Sequence, residues 1–376
     1  MKNNLISIRK HLHAHPELSG NEKNTAQFIV EELKKIGVDK IHEDFAQHSI
    51  IAVIKGEYDG QGVLFRSELD ALPIQEQNDF EHKSKRKGVS HKCGHDGHST
   101  ILIGLAERLT ANRPKKGTVY LLFQSAEETG AGARIIMQSK LLDKYAIDYV
   151  FSLHNVPGFK KSSVFCKSGI FTPTVESLEI ELQGKTSHAG QPDKAINPAL
   201  AIAAIVHFFQ NLHEPDMNKK DYFVIAPIHI KMGEKAYGTT AGSAILGYTI
   251  RSNDIDQFKE KKELIIKQIN TIATGHRLTA KINWLESFQS NTNDEEAVEI
   301  IQQATKDCSL AYNTIRVPFD WGEDFGLITQ HYRGAMFGLG SGENTPPLHD
   351  ELYDFPDDII SDGIALFYQI SKYIQG

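Results

Sequence analysis

The sequence predicts an α/β protein in which a small two-layer domain is inserted into an open, mixed β-sheet. Its 376 residues are enough for two or three domains. Short apolar runs at residues 119–123 and 149–153 alternate with helical stripes such as residues 101–109, which is typical of an open α/β sheet. Near residue 174 the pattern changes to the order β-α-β-β-α-β of a ferredoxin-like domain, and strand–helix alternation resumes after residue 286.

The larger domain is predicted to comprise residues 1–173 and 287–376. Apolar residues between positions 5 and 12 recur at helical spacing and predict its first helix. A second helical stripe follows Ser19 and Glu22, whose spacing is that of a capping box. We therefore expect these two side chains to cap the second helix.

Acidic and imidazole side chains of this domain fall where predicted strands end. The strands at residues 50–54 and 63–69 are expected to be joined by a turn at residues 57–60. In open α/β sheets, sites form beyond the carboxyl ends of the strands. The side chains at such ends are Glu68, Asp70, Glu127, Glu128 and His154.

The inserted domain, residues 174–286, is predicted to contain four strands and two helices. Its first strand alternates apolar and polar residues and leads into a glycine-bounded loop, residues 184–190, that contains His188. The predicted elements are a strand at residues 175–182, a helix that begins at 197–198, strands at 223–230 and 244–251, a helix at 255–274 and a strand at 280–285.

Composition argues against several classes of partner. A formal net charge of -7 is unfavourable for binding nucleic acid or an anionic membrane, because neither would be attracted to such a field. The three cysteines are odd in number and far apart, which implies no disulfide framework and fits a reducing compartment. The N-terminus shows no apolar signal segment, so we expect a cytoplasmic protein that acts on small molecules.

The densest cluster of metal-binding side chains is the octet His-Lys-Cys-Gly-His-Asp-Gly-His at residues 91–98. Cys93 and His95 can share one face of an extended segment, and Gly94 lets the backbone bend until both reach one ion. Imidazole suits zinc, nickel, cobalt and manganese, whereas a thiolate favours the softer of these ions. The alternative is a chance cluster among 17 histidines, with Cys93 as a small buried hydrophobic residue.

Glu127 and Glu128 directly follow a predicted buried strand. Neighbouring side chains at a strand end point to opposite sides, so one carboxylate can bind a metal while the other faces a metal-bound water. The alternative is a solvated acidic turn, the commoner fate of such a pair. The apolar strand before the pair and the glycine-rich turn after it favour the site.

His154 and His349 extend the candidate ligand set to four separated segments. Either histidine alone would be interpreted as a structural or surface residue. Together with Cys93, His95 and one glutamate they supply five ligands, which suits a two-ion site better than a single tetrahedral zinc. A serine nucleophile is disfavoured, because the sequence has no nucleophile elbow.

Six segments, spread nearly end to end, carry a resemblance to a known family. They are residues 12–18 (LHAHPEL), 68–73 (ELDALP), 93–98 (CGHDGH), 126–128 (AEE), 322–325 (GEDF) and 348–349 (LH). With these segments the chain resembles the metal-dependent amidohydrolases that include hippurate hydrolase, N-acetyldiaminopimelate deacetylase and the auxin-amino-acid conjugate hydrolases. That family lies within the larger aminoacylase and carboxypeptidase group.

The resemblance implies a catalytic domain of the zinc-peptidase type that binds two divalent ions per subunit, of zinc, manganese, nickel or cobalt. It also implies that residues 174–286 form a lid domain, through which a homodimer is expected. His95 is expected to bridge the two ions. The implied ligands are Cys93, His95, Glu128, His154 and His349.

Three further roles follow from the resemblance. Glu127 would be the general base and later the proton donor, and Asp70 would orient the ligands. His188 matches the family's oxyanion-stabilising histidine, which comes from the partner subunit in related dimers. Within the octet, Asp96 or His98 is expected to steady the loop by hydrogen bonds.

Some residues depart from the family pattern. Glu68 stands where this branch usually has Asp, and Asp193 stands where the lid often has a second histidine. Residues 237–240 replace a lid segment that usually contains Asn. These differences touch substrate contacts, so substrate specificity is not transferred from the family.

We therefore expect an enzyme that hydrolyses the linear amide bond of N-acetyl or aromatic-acyl amino acids, releasing a carboxylic acid and an amino acid. A hydroxide bridging the metals would attack the carbonyl, with Glu127 as general base. Two alternatives stay open: a dipeptidase or carboxypeptidase on the same site, and a non-catalytic binding protein with one structural metal. The cysteine-containing octet favours the amidohydrolase, and Glu127 together with five ligands speaks against the binding protein.

Overall fold

The computed structural model describes residues 2–376, apart from the side chains of Lys2, Asn3 and Asp44. The chain forms two compact units. The first contains the chain up to Phe171 together with Asn291–Arg316 and Glu323–Gly376, and the second contains Thr172–Ser290 and Val317–Gly322. The insertion was predicted at residues 174–286, and the sequence did not indicate that residues 317–322 group with it.

The helices of the described chain include all of those that the apolar stripes predict. They are α1 (Lys2–Ala14), α2 (Lys23–Ile36), α3 (His95–Ala111), α4 (Gly132–Ser139), α5 (Ala199–Leu212), α6 (Ile255–Gly275), α7 (Glu295–Asp307), α8 (Gly326–Thr329) and α9 (Ile360–Gln375). Helix α3 begins inside the octet, so His95 lies in its first turn.

The strands are more numerous than the sequence predicts, because several are short. They are β1 (Lys40–Ala46), β2 (Ser49–Lys55), β3 (Tyr58–Glu68), β4 (Lys116–Gln124), β5 (Tyr149–Pro157), β6 (Val164–Cys166), β7 (Gly169–Thr172), β8 (Thr174–Gln183), β9 (Ser187–His188), β10 (Phe223–Met232), β11 (Thr239–Thr240), β12 (Ser243–Ser252), β13 (Thr279–Phe288), β14 (Asn291–Asn293), β15 (Tyr312–Thr314) and β16 (Gly334–Gly342).

The first unit contains an eight-stranded mixed sheet in the order β1-β2-β4-β3-β5-β16-β6-β15. Strand β3 lies between β4 and β5 and is parallel to both, whereas β2 is antiparallel to β4. Strand β16 is buried along its whole length, as is β5 up to its last residue. The predicted open mixed sheet is therefore confirmed, and the carboxyl ends of β3, β4 and β5 lie side by side at one edge.

Several local predictions in this unit are wrong. Strands β2 and β3 do not form a hairpin, because β4 inserts between them, and the predicted turn at residues 57–60 falls mostly within β3. His154 lies inside β5 rather than at its end, since the strand continues to Pro157. Short, locally irregular strands such as β1 gave no signal strong enough for prediction.

The second unit has the predicted β-α-β-β-α-β order, formed by β8, α5, β10, β12, α6 and β13. Its four strands pair antiparallel in the order β10-β12-β8-β13, and α5 and α6 supply the apolar partners of its core. The small ribbon of β9 and β11 pairs His188 with Thr239. Across residues 2–376, no helix has the length and apolar character needed to span a membrane.

Candidate metal centre

Three adjacent parallel strands and one helix bring the predicted site residues together in the first unit. Asp70 follows β3, Glu127 and Glu128 follow β4, and His154 lies on β5, while His95 opens helix α3. Because these strands are neighbours in the sheet, residues separated by up to 84 positions meet at one edge. The order β4-β3-β5 in the sheet therefore brings these segments together, as predicted.

Cys93, His95 and His154 form the first potential metal-binding group. Their ligand atoms lie within 4.8 Å of one another, and Cys93 Sγ is 3.5 Å from His154 Nε2. His95 Nδ1 donates to the Asp70 carbonyl oxygen at 2.9 Å, and His154 Nδ1 donates to that of Asn155 at 2.9 Å. A ring nitrogen that donates to a carbonyl oxygen carries a proton, so in the neutral imidazole that a metal binds, the lone pair of both residues is on Nε2.

Cys93, Glu128 and His349 form the second potential group. Their ligand atoms also lie within 4.8 Å of one another, and His349 Nε2 is 3.7 Å from Glu128 Oε2. The His349 backbone N–H donates to the Lys92 carbonyl oxygen at 2.7 Å, which ties this C-terminal segment to the octet. Residue type had named His349 as a candidate ligand, but its contact with the octet joins segments more than 250 residues apart and could not be predicted from the sequence.

Cys93 is the member that these two groups share. The sequence led us to expect that His95 bridges the ions, and the geometry argues against it. With Nδ1 committed to a carbonyl, the His95 ring offers one lone pair and cannot bind two ions. A thiolate sulfur has several lone pairs, so Cys93 is the better candidate for the shared ligand.

The residues present fit a divalent metal. His95 Nε2 and Glu128 Oε1 are buried and have no hydrogen-bond partner among the described residues. Buried polar atoms are normally paired, so unpaired acceptors that converge indicate a cation-binding position. Nitrogen, sulfur and oxygen donors together suit first-row divalent ions such as zinc.

The octet backbone requires a glycine at position 94. Gly94 has φ of 99° and precedes helix α3. A Cβ atom there would lie 2.4 Å from Asn155 Oδ1. The glycine therefore permits both the left-handed turn between Cys93 and His95 and the close approach of β5.

Burial and neighbouring charges raise the pKa values of three groups at the site, Glu127, Glu128 and the Cys93 thiol. Burial, followed by the charges of Glu323 and Glu128, raises the pKa of Glu127 well above its usual range. Burial raises the pKa of Glu128 to about 7, although His95 acts in the opposite direction. Burial and the Glu128 charge likewise raise the pKa of the Cys93 thiol. A bound cation would lower all three pKa values.

Asp70 connects both halves of the site. Its Oδ2 accepts hydrogen bonds from the Glu128 backbone N–H at 2.9 Å and from Ser19 Oγ at 2.7 Å, and its carbonyl orients His95. Burial alone would raise the pKa of Asp70, but the hydrogen bonds of His95 and Ser19 outweigh it and lower that pKa. Asp70 is thus placed to orient ligands, the role expected from the resemblance.

The predicted capping box at Ser19 and Glu22 is wrong. Both side chains serve the site instead, because Glu22 Oε1 accepts the Ala126 backbone N–H at 2.7 Å. Ala126 has φ of 52°, a conformation that costs a non-glycine residue roughly 1–3 kcal/mol and turns the chain into Glu127. Glu17 caps helix α2 instead, accepting from the Asn24 and Thr25 backbone N–H groups.

Asp96 and His98 support the octet by hydrogen bonds, as predicted, whereas neither ring nitrogen of buried His91 has a hydrogen-bond partner among the described residues. His98 Nδ1 bonds Glu68 Oε2 at 2.7 Å, and its Nε2 bonds Asn155 Oδ1 at 2.5 Å. Asp96 Oδ2 accepts from His13 Nδ1 at 2.8 Å. The octet is therefore held from both neighbouring strands and from helix α1.

His188 lies in the second unit, on the ribbon strand β9. Its side chain is exposed, and its Nδ1 accepts the Gly190 backbone N–H at 3.0 Å. No metal-binding group among the described residues includes it. Its predicted role in oxyanion stabilisation stays a prediction.

Comparison with known proteins identifies the family of this chain. The family model "Peptidase family M20/M25/M40" matches residues 64–373. The chain is 31% identical to an N-acetyl-L-cysteine deacetylase of Bacillus subtilis, covering 99% of this chain and 88% of that protein. It is 28% identical to a hippurate hydrolase of Campylobacter jejuni, covering 98% of this chain and 96% of that protein.

Solved structures show the same fold. A Bacillus subtilis protein described as a dinuclear metal binding peptidase of the M20 family is 27% identical, with a TM-score of 0.83. The alignment covers 100% of this chain and 98% of that one. The resemblance first seen in the octet and its companion segments is confirmed. The chain belongs to peptidase family M20/M25/M40.

Proposed function

We propose that this chain is a two-metal amidohydrolase that cleaves N-acyl amino acids into a carboxylic acid and an amino acid. The observation that carries the proposal is the position of Glu127 beside the cluster of five candidate ligands. Glu127 Oε2 lies 3.8 Å from His95 Nε2, a candidate ligand atom, yet Glu127 belongs to neither group that shares Cys93. Relatives that hydrolyse N-acetylcysteine and hippurate support the substrate class.

The ligands divide between two ions. Cys93, His95 and His154 would hold one ion, and Cys93, Glu128 and His349 would hold the other. When bound, the ions would lower the pKa of a coordinated water and polarise the amide carbonyl. Zinc, manganese, nickel and cobalt all fit these donors.

Glu127 supplies the proton transfer. Its carboxylate is buried and adjacent to the ligand cluster, where it can take a proton from water and return it to the leaving nitrogen. Burial favours its protonated form, which suits the second of these steps. Asp70 acts on Glu127 only indirectly, by fixing the Glu128 backbone N–H and the His95 ring.

His188 would stabilise the oxyanion of the tetrahedral intermediate, from the same or from a partner subunit. Because its Nδ1 accepts a backbone N–H, its proton is on Nε2, which leaves a donor for an oxyanion. His188→Ala should lower kcat while leaving metal content unchanged. Unchanged kcat in this variant would remove His188 from the mechanism.

The second unit would act as lid and as dimer interface, in a cytoplasmic protein. Strand β10 is an edge strand and exposes Ile228, Ile230 and Met232, and such an apolar edge readily pairs with another strand. The three free cysteines fit a reducing compartment. Ile230→Lys should convert a dimer to a monomer in sedimentation experiments, and a wild-type monomer would contradict the interface.

A substrate panel tests the proposed function. Metal-stripped protein is reloaded with each of the four metals and assayed on N-acetyl amino acids, on hippurate and on unblocked dipeptides. We expect metal-dependent hydrolysis of N-acyl amino acids and little cleavage of dipeptides. Preferential dipeptide cleavage would favour the peptidase, and one tightly held ion without any hydrolysis would favour the binding protein.

A further inference from the structure

Arg66 is the centre of a buried ion network next to Glu127. It lies on β3 and is 1% exposed. Its Nε donates to Gln124 Oε1 at 3.1 Å, and its Nη1 donates to Glu68. The face of the Phe325 ring lies 5.7 Å from the guanidinium carbon. Arg66 therefore has a fixed position behind the metal-binding groups.

The second terminal nitrogen of Arg66 binds two carboxylates. Nη2 is 2.6 Å from Asp324 Oδ1 and 3.0 Å from Glu323 Oε1. Asp324 accepts a hydrogen bond from Nη2, whereas Glu323 is an ion-pair partner of the same nitrogen. Glu323 is also fixed by the Phe325 backbone N–H, which donates to its Oε1 at 3.0 Å.

Glu127 is a competitor for the same guanidinium. Its carboxylate oxygens lie within 4.8 Å of those of Glu323 and Asp324. A guanidinium binds any carboxylate within reach, often in a bidentate manner. Among the described residues, however, no ion pair within 4.0 Å joins Arg66 to Glu127, and the ion-pair contact of Glu127 is with His95.

We propose that Glu323 is a positioning residue for Glu127: it pairs with Arg66 Nη2 and thereby keeps the Glu127 carboxylate at the metal centre. The negative charge of Glu323 adds to this effect, because it opposes the approach of a further carboxylate to the same nitrogen. Asp324 also pairs with Nη2, but Gln124 and the Ala133 backbone N–H hold it as well. Glu323 is thus the carboxylate whose removal deprives Arg66 Nη2 of a partner with the least other damage.

The inference rests on the proposed role of Glu127. Glu323→Ala should remove one ion-pair partner of Arg66 Nη2, and the Glu127 carboxylate should turn to that nitrogen. We expect kcat to fall about 100-fold, as for a catalytic group displaced by about 1 Å, with KM and metal content unchanged. Glu323→Gln keeps an oxygen that can contact Arg66 and should lose much less activity. If the alanine variant does not fold, the kcat of Glu323→Gln is the measurement that tests the inference.

The matched control is Glu17→Gln. Glu17 is another buried carboxylate of the first unit, 5% exposed, whose hydrogen bonds are to Asn24 and Thr25 rather than to the site. This variant should lower thermal stability while its kcat per folded molecule stays at the wild-type value. A comparable loss of kcat would show that any buried charge change has the same effect and would overturn the inference.

A crystal structure of Glu323→Ala separates this inference from the proposed function. We expect the Glu127 carboxylate within hydrogen-bond distance of the Arg66 guanidinium. Glu127 unmoved beside His95, or wild-type kcat, would overturn the inference. If wild-type protein hydrolyses no substrate of the panel, the proposed function fails, and the position of Glu127 in the variant still tests the competition for Arg66.

Discussion

Two buried clusters of charged side chains are built from neighbouring residues of the same octet, and they differ in how their imidazole rings are hydrogen-bonded. Lys92 and Asp96 belong to one cluster, in which each charged side chain has an opposite partner. Cys93 and His95 belong to the other, in which buried His95 Nε2 has no hydrogen-bond partner among the described residues. Hydrogen bonding thus distinguishes the imidazole of His13, whose two nitrogens both bond carboxylates, from that of His95, whose Nε2 is left for a ligand.

The paired cluster is centred on His13 of helix α1. Its Nδ1 is 2.8 Å from Asp96 Oδ2, and its Nε2 is 3.0 Å from Glu76 Oε1. Lys92 Nζ bonds the same Glu76 oxygen at 2.5 Å and the Tyr353 carbonyl at 2.7 Å. These contacts hold the octet against helix α1 and the C-terminal segment, and they leave Cys93 and His95 free to face the strand ends.

The largest effect on activity is expected at Glu127. Glu127→Gln keeps the shape of the side chain but cannot take a proton, so turnover should fall by several orders of magnitude. Metal content, measured by elemental analysis, and the free energy of unfolding should stay close to wild type. Glu57→Gln, an exposed carboxylate of the same unit, should leave turnover unchanged. Near-normal turnover of Glu127→Gln would eliminate it as the general base.

The largest effect on stability is expected at His13. His13→Gln leaves Asp96 and Glu76 buried without their shared cation, and removing one partner of a buried ion pair costs about 3–5 kcal/mol. Urea unfolding measures this loss, and kcat per folded, metal-loaded molecule should be retained. Arg113→Ala breaks a more exposed ion pair with Asp39 and should cost less than about 1 kcal/mol. Equal losses of stability in the two variants would contradict the difference expected between a buried and a more exposed ion pair.

A smaller effect is a pH dependence of the His13 contribution. Burial alone would lower the pKa of His13, but hydrogen bonds to Asp96 and Glu76 outweigh it and raise that pKa from 6.5 to about 9. A raised pKa stabilises the fold fully below the unfolded value, and the contribution is lost as the pH rises through the folded value. The stability difference between wild type and His13→Gln should therefore be largest near pH 6, about half a unit below the unfolded value, and shrink toward pH 9. A constant difference would contradict a charged His13.

The metal-binding octet and the acidic pair were predictable from the sequence because their chemistry is local. Cys93 and His95 sit two residues apart, and Glu127 and Glu128 follow an apolar strand, so residue type and position suffice. The fold class was predictable for a similar reason, since the periods of helix and strand are local properties.

Contacts between distant segments were not predictable. Ser19 and Glu22 have the spacing of a capping box. Their side chains instead hydrogen-bond Asp70 and the Ala126 backbone N–H, which lie at the buried edge of the sheet. The predicted pairing of β2 with β3 was wrong because β4, which begins almost 50 residues after the end of β3, lies between them in the sheet. The proposal that both ions share Cys93 could not be made from the sequence. It depends on the orientation of the His95 ring, which the Asp70 carbonyl fixes.

The most direct test of the account is an anomalous-scattering crystal structure of metal-loaded protein, recorded at the absorption edge of the metal. We predict two ions per chain, with Cys93 Sγ bound to both, His95 and His154 on one ion, and Glu128 and His349 on the other. A single ion would contradict the two-ion centre proposed for this chain, and two ions that Cys93 does not bridge would contradict Cys93 as their shared ligand.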